Sequence, residues 1–432
     1  MQNRPRINRR IFIALAVAGC ADTSTRTPPI VVPPATPAPT PPPLPPAPTP
    51  PPSGYVGFDT WLRGYRDKAL AQGIPAAVLD RELSGLTPNP QVAALDGKQP
   101  EFSKPVGDYI KSTVSTERVG LGRQYRDSLS YLPAIEQRHS VPREIVLAVW
   151  AMESAFGKAQ GGMDTVRALA TLAWDGRRRA WAEDELTAAL RIIARGEAGR
   201  WRLKGSWAGA MGQTQFLPSV FLSTAVDADG DGKRDIWGSS HDALASTANY
   251  LARAGWAPGQ GWAREVVLPP GFDYSLAEGP KNVPAWWEGL SVRCADGRAW
   301  RAAEQGAQAG LALPSGANSP AFLLLPNHFA IRKYNNSTSY ALGIGLLADR
   351  FAGEAELVTP WPYEVPLSLL ARQAAQRNLA KVGFDPGEPD GVIGANTRAA
   401  LRGWQKSRGL PADGYLSPPI IQRLQVEAAS IP

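Results

Sequence analysis

The sequence predicts a mainly α (α+β) protein: a helical body, a small β-containing lobe set into it, and a separate short helical piece at the C-terminal end. Three observations carry that expectation. Apolar residues recur at helical spacing through the first half of the chain; short strand-like runs broken by Pro and Gly follow Trp262; and an Asp-Gly turn leading into a helix-forming segment occurs twice between Leu367 and Leu424. The chain of 432 residues is too long for one ordinary core, and 44% hydrophobic residues supply enough material for two or three packed domains.

Taken in order, residues 1–19 read as a targeting segment. Arg4, Arg6, Arg9 and Arg10 precede the apolar run Ile11 to Ala18, and Gly19-Cys20 follow. Their removal takes four arginines and no acid, reducing the formal charge from +7 to +3, so the basic balance gives no ground for a nucleic-acid partner. Val17-Ala18-Gly19-Cys20 resembles the lipobox of bacterial lipoproteins, which makes Cys20 the expected lipidation site and the membrane an expected partner. The alternative is an ordinary secretory signal. Cys294 is the one other cysteine, so a lipidated Cys20 leaves no intrachain disulfide and stability must come from packing. Residues 20–54 form a Pro-rich disordered linker; Pro28 to Pro52 would reach on the order of 80 Å at ~3.1 Å per residue.

A globular domain is expected over residues 55–360. Phe58, Trp61, Leu62 and Tyr65 open it as an amphipathic helix, and helices are predicted over Leu121–Gln137, Thr165–Ala173 and Glu183–Arg195. Between them, Val141 to Gly157 is the most informative stretch. Pro142 suits a first helical position, and Ile145 to Met152 is apolar throughout, so this helix should lie buried. Glu153 then falls on the stripe of Val146, Val149, Trp150 and Phe156. A carboxyl in such a setting holds its proton towards neutral pH, as a general acid must. The plainer reading is a frayed helix end with Glu153 in water.

Gly205 to Ser219 is the second such stretch. Gly209 and Gly212 permit close backbone approach, while Gln213 and Gln215 offer amide donors and acceptors suited to sugars and acetamido groups; tight packing with exposed glutamines is the competing reading. Asp227-Ala228-Asp229-Gly230-Asp231-Gly232-Lys233-Arg234-Asp235 matches the start of an EF-hand loop, but position 12 is Gly238. Asp227, Asp229, Asp231, Lys233 and, from farther on, Asp242 form the candidate calcium set; a solvated acidic turn is the alternative. Strands are expected at Glu265–Leu268, Ser291–Cys294 and Phe322–Leu325, and helix resumes from Tyr340 to Phe351.

Glu153-Ser154-Ala155-Phe156-Gly157, Ser206 to Phe216 and Ser246 to Tyr250 closely resemble motifs of the lytic murein transglycosylases of the B type, and the likeness runs from about Phe58 to Phe351. The resemblance implies a lysozyme-like helical core that cleaves peptidoglycan between N-acetylmuramic acid and N-acetylglucosamine, leaving a 1,6-anhydro end. It implies that Glu153 is the single catalytic acid/base, that Ser206, Gln215, Phe216 and Tyr250 line the glycan cleft, that Arg178 and Arg179 supply an arginine pair, and that Asn335 and Tyr340 close the site. It implies a structural calcium ion and no cofactor for the chemistry. Residues 365–427, with Gln373, Leu379, Thr397 and Trp404-Gln405, resemble a three-helix peptidoglycan-binding domain. The expected setting is the periplasm, lipid-anchored at the outer membrane, as a monomer on glycan strands. His139, His241 and His328 lie outside these motifs. Two rivals stand: a hydrolytic muramidase using Asp164 or Asp175 as a second carboxylate, and a non-catalytic glycan-binding scaffold.

Overall fold

The computed structural model describes residues 55–97 and 104–431. The targeting segment, Cys20 and the Pro-rich linker lie outside the described residues. No described helix is long and apolar enough to cross a membrane.

The helical body is built around the Arg143–Ser154 helix, in which every residue from Ile145 to Ala151 is buried. It packs against Thr116–Ser128, Ser240–Arg253 and Thr338–Ala352. Val146, Leu147 and Val149 are fully enclosed there, each contributing roughly 1.5–3 kcal/mol by burial. Pro142 stands one residue before the helix rather than in it: its backbone is extended, and its carbonyl accepts from the amides of Ile145 and Val146. A second core joins Val56–Ala71 and Ala76–Leu83 to Thr165–Asp175 and Arg179–Ala194 through Phe58, Tyr65, Leu169, Leu186 and Leu190. The single helix expected over Leu121–Gln137 is two, Thr116–Ser128 and Leu132–His139. Pro133 explains the break, since its ring and missing N–H prevent the first helix from running through.

The β lobe is one antiparallel sheet in the order Lys281–Asn282, Ala309–Ala312, Ala321–Leu324, Ala263–Val267, Arg293–Cys294. Ala309–Ala312 and Ala321–Leu324 are buried along their whole length and pair Leu311 with Leu323. Ala309–Ala312 escapes sequence reading because Ala-Gly-Leu-Ala has little strand propensity; two-sided burial places it. The strand expected from Ser291 is only Arg293–Cys294. Pro326–Tyr334 forms a helix that no expectation covered, because Asn327 and His328 occupy its buried face and mask the apolar pattern.

The C-terminal domain comprises Leu369–Lys381, Ala395–Ser407 and Pro418–Ala429 around Leu379, Leu401, Trp404 and Leu424. The repeat has a physical basis. The Gln376 side chain accepts from the Gly391 amide at 2.7 Å and donates to Asp390, and Gln405 does the same for Gly414, at 2.8 Å, and Asp413. Gln376, not the singled-out Gln373, is the brace of the first copy. This domain is docked on the β lobe: Arg398 and Arg402 both bind the Glu278 carboxylate, at 2.8 and 3.1 Å, and the Asp413 carboxylate accepts from the Ala317 amide at 3.0 Å.

Candidate active site

Glu153 stands on the last turn of its helix with 7% exposure, and its Oε1 accepts a hydrogen bond from the Tyr340 hydroxyl at 2.5 Å. Burial pushes its carboxyl up to about 7, and the Tyr340 hydroxyl, by stabilising the anion, holds it from rising further. No described carboxylate contributes to that shift. The groups that sense the Glu153 charge are phenols: Tyr340 and Tyr334, both held well above the ordinary tyrosine range by burial, and Tyr109, pushed up to about 12 by burial. Glu153 and Tyr340, 187 residues apart, are thus brought together. Sequence reading missed Tyr109 and Tyr334, because a lone tyrosine carries no pattern until tertiary packing aims it.

The chain beyond Glu153 leaves the helix through two non-glycine residues in the left-handed region, Ala155 at φ 48° and Phe156 at φ 58°, followed by Gly157 at φ 82°. A bulky residue there is strained and persists only when its surroundings hold it. Gln213 supplies the support. Its Oε1 accepts from the Trp150 indole at 2.9 Å, its Nε2 donates to the Trp237 carbonyl at 3.1 Å, and its main-chain carbonyl accepts from Ser154 Oγ at 2.7 Å. Gly157 is required beside it, since a Cβ there would lie 2.6 Å from Gln213 Oε1. Gln213 is therefore a buried brace rather than the sugar-facing amide expected of it. Gly212 also serves packing: a Cβ would meet the Ile236 carbonyl at 2.8 Å.

Gln215, itself at φ 50°, donates both Nε2 hydrogens inward, to the carbonyls of Gln160 and Gly212, so Oε1 is the atom it has to offer a ligand. Phe216, Tyr250 and Tyr334 form an aromatic cluster with ring centroids 4.8 to 5.8 Å apart, and the Tyr334 hydroxyl donates to the Thr214 carbonyl. The Tyr250 hydroxyl donates to the Lys333 carbonyl at 2.5 Å, tying the Ser240–Arg253 helix to the Pro326–Tyr334 helix. Asn335 comes directly after that helix; its Oδ1 is buried without a hydrogen-bond partner among the described residues. Ser206 Oγ accepts from the Ala210 amide at 3.1 Å and shapes the turn that carries this loop.

The two arginines have different partners. Arg178 binds Asp96 at 2.7 Å and lies over the rings of Trp181 and Trp207, beside Ser206. Arg179 instead donates to the Ala173 carbonyl at the end of the preceding helix. Of the acidic loop, Asp227, Asp229 and Asp242 bring carboxylate oxygens within 4.8 Å of one another, a hard-donor set that fits calcium. Asp231 is not in that cluster, its carboxylate accepting the Lys233 amide, and Lys233 could contribute only a main-chain carbonyl. Asp242 is fully buried and accepts from the amides of Ala228, Asp229 and Asp235, so it organises the loop whether or not an ion binds.

Residues 57–349 match the family described as Transglycosylase SLT domain, and residues 370–424 match the Putative peptidoglycan binding domain. Membrane-bound lytic murein transglycosylase B of Escherichia coli (strain K12) is 32% identical over 256 residues, covering 56% of this chain and 66% of that protein, just under two thirds of its length. SltB3 from Pseudomonas aeruginosa, solved in complex with NAG-NAM-pentapeptide, shares 47% identity at a TM-score of 0.81 over 85% of this chain and 99% of that one. The Escherichia coli lytic transglycosylase Slt35 in complex with calcium shares 28% identity at a TM-score of 0.59, over 67% of this chain and 92% of that one. The buried glutamate on its apolar helix, the helical body and the C-terminal repeat thus sit inside a known set of relatives: the chain belongs to the transglycosylase SLT family, among lytic murein transglycosylases of the B type, with a peptidoglycan-binding domain behind the transglycosylase domain.

Proposed function

We propose that the protein is a peptidoglycan lytic transglycosylase that cleaves the bond between N-acetylmuramic acid and N-acetylglucosamine and leaves a 1,6-anhydro end, with Glu153 as its single acid/base. The observation that carries this reading is one buried carboxyl, pushed up to about 7, facing phenols and no second carboxylate among the described residues that perturb it. At neutral pH such a group is both available as an acid and regenerable as a base. Glu153 protonates the departing glycosidic oxygen; as the anion it then accepts the proton of the substrate's own 6-hydroxyl while that oxygen bonds to C1. An intramolecular attacker can have an effective molarity of ~10⁵ M or more, which favours ring closure over attack by water.

Hydrolytic glycosidases commonly use a second carboxylate, which activates water or acts as the nucleophile. Asp164 is a poor candidate, since it caps the Thr165–Asp175 helix and binds Arg200 at 2.9 Å, and Asp175 is exposed at the far end of that helix. The deciding experiment is digestion of intact glycan in ¹⁸O-labelled water by the native chain and by Glu153→Gln. Unlabelled 1,6-anhydro products, with activity lost in the variant, are expected; labelled reducing ends establish hydrolysis, and turnover by Glu153→Gln overturns the assignment.

In the same reading Gln215 Oε1, Asn335 Oδ1, the Phe216 and Tyr250 rings and Ser206 contact the glycan, Arg178 supports that cleft through Trp207, and Tyr340 orients Glu153. Asp227, Asp229 and Asp242 hold a structural calcium ion, which takes no part in the chemistry. Millimolar calcium is expected to raise the Tm of chelator-treated protein but not of Asp229→Ala, because an ion bound only by the native state stabilises it by mass action; an equal response in both sinks the site. The lipobox at Cys20 supports a lipid anchor; in this reading the chain works as a monomer at the outer membrane, with the Pro-rich linker as spacer and the C-terminal domain as the hold on peptidoglycan.

A further inference from the structure

The seam between the β lobe and the C-terminal domain is ion-paired at Glu278, yet two clefts run along it. One, of about 450 Å³, lies between Gly271–Tyr274 and the loop 409–412; the other, of about 360 Å³, lies between residues 275–279 and 399–403. Lys406 lines both, so the two depressions, each open to solvent, adjoin at its side chain and are taken together as one shallow groove.

The groove's charges are unequally committed. Arg398 and Arg402 are neutralised by Glu278. Lys406 is exposed and makes no ion pair among the described residues, acting on Asp273 only as a more distant charge. Asp273 accepts from the Ser275 amide and hydroxyl through Oδ1, at 3.0 and 2.6 Å, leaving Oδ2. Phe272 and Tyr274, the chain neighbours of Asp273, line the same depression and stand edge to face with centroids 5.9 Å apart. The groove thus presents one unpaired cation, one acceptor and an apolar floor.

We propose that this seam groove binds the peptide stem of peptidoglycan, with a stem carboxylate on Lys406, an amide or amino N–H on Asp273 Oδ2, and the small alkyl side chains on Phe272 and Tyr274. This rests on the reading of the protein as a peptidoglycan enzyme. The stem fits better than the sugar for two reasons. Sugar hydroxyls give an ammonium group little that water does not, whereas a carboxylate forms a charge-assisted hydrogen bond. Phe272 is also buried, so it offers a floor for methyl groups rather than an open face on which a pyranose could stack. Because each wall belongs to a different domain, the site exists only while the two are docked.

The test uses the full chain as Glu153→Gln, which removes turnover, and titrates it calorimetrically with two probes: a synthetic stem pentapeptide, with its γ-linked glutamate, diamino acid and terminal alanines, and the NAG-NAM disaccharide without peptide, its lactyl carboxyl capped as the methylamide so that it carries no carboxylate. Adding Lys406→Glu is expected to weaken the pentapeptide about tenfold or more, as loss of a hydrogen bond to a charged group implies, and to leave the disaccharide unchanged. Asp273→Asn is expected to weaken the pentapeptide less. Pentapeptide affinity that ignores Lys406→Glu, or no pentapeptide binding at all, overturns the proposal; so does an equal loss for the disaccharide, which would make the groove a sugar subsite. Glycan cleavage by the native chain is scored separately. If it fails, the enzymatic reading falls; if it succeeds while peptide binding ignores Lys406, the groove alone falls.

Discussion

At Glu153 a carboxyl occupies a place that burial alone would assign to an aliphatic side chain, and the proton decides what that costs. In the unfolded chain it ionises near 4.5, in the native protein near 7. The native state therefore holds a proton that the unfolded state has released across that interval. A raised carboxyl leaves stability intact below about 4.5 and lowers it as pH climbs to about 7, by about 3 kcal/mol when the shift is converted. Glu153→Gln keeps the acceptor for Tyr340 and cannot ionise. Chemical denaturation should find this variant more stable than the parent at pH 8 by a few kcal/mol and equal to it at pH 4; a gap that is the same at both values would mean that ionisation is not its source. The same proton sets activity, because the form that donates to the glycosidic oxygen disappears as pH rises through 7.

One scale up, the Arg143–Ser154 helix was legible as a buried helix because its apolar residues leave no polar face, and Glu153 was legible as its exception. The turn after Glu153 was not legible. Ala155-Phe156 carries no sign that both residues are left-handed, since that conformation, costing roughly 1 kcal/mol or more per residue, is imposed by partners distant in sequence. Those partners are Gln213, 63 residues from Trp150, and the Tyr125, Trp150 and Phe156 rings packed at 5.0 to 5.4 Å. The same limit misplaced Gln213 among the sugar contacts: its residue type announced hydrogen bonding, but only packing shows that its side-chain partners are a buried indole and a main-chain carbonyl. Gln213→Ala strands the Trp150 N–H in the core and frees the turn after Glu153. It should cost about 2 kcal/mol of stability, near the penalty for an unsatisfied buried donor. At a temperature where the variant remains folded, kcat should fall more than KM rises, since glycan contacts survive while the acid loses its fixed position. An unchanged kcat in a destabilised protein would make Gln213 structural only.

For the whole molecule, the two Asp-Gly turns made the C-terminal repeat readable, whereas its placement was not, because docking depends on Glu278, a residue in a β-lobe loop with no motif around it. A tethered module would move independently; this one is held by a carboxylate between two guanidinium groups. Burial pushes the Glu278 carboxyl up, but Arg398 and Arg402 together outweigh it and hold it below the ordinary glutamate range. A depressed carboxyl adds stability that is present above its unfolded value of about 4.5 and disappears as pH falls through the lower native one. The two domains should therefore melt together at neutral pH and separately in acid. Glu278→Ala should produce that separation at pH 7, because it leaves Arg398 and Arg402 facing each other with no counter-charge and removes the link that couples the two unfolding events. Calorimetry decides it: the parent is expected to show one transition at pH 7 and the variant two, with the lower belonging to the small C-terminal core. A single transition in the variant, at the parent's Tm, would show that the bond from the Ala317 amide to Asp413 and the packing around it hold the domain without Glu278.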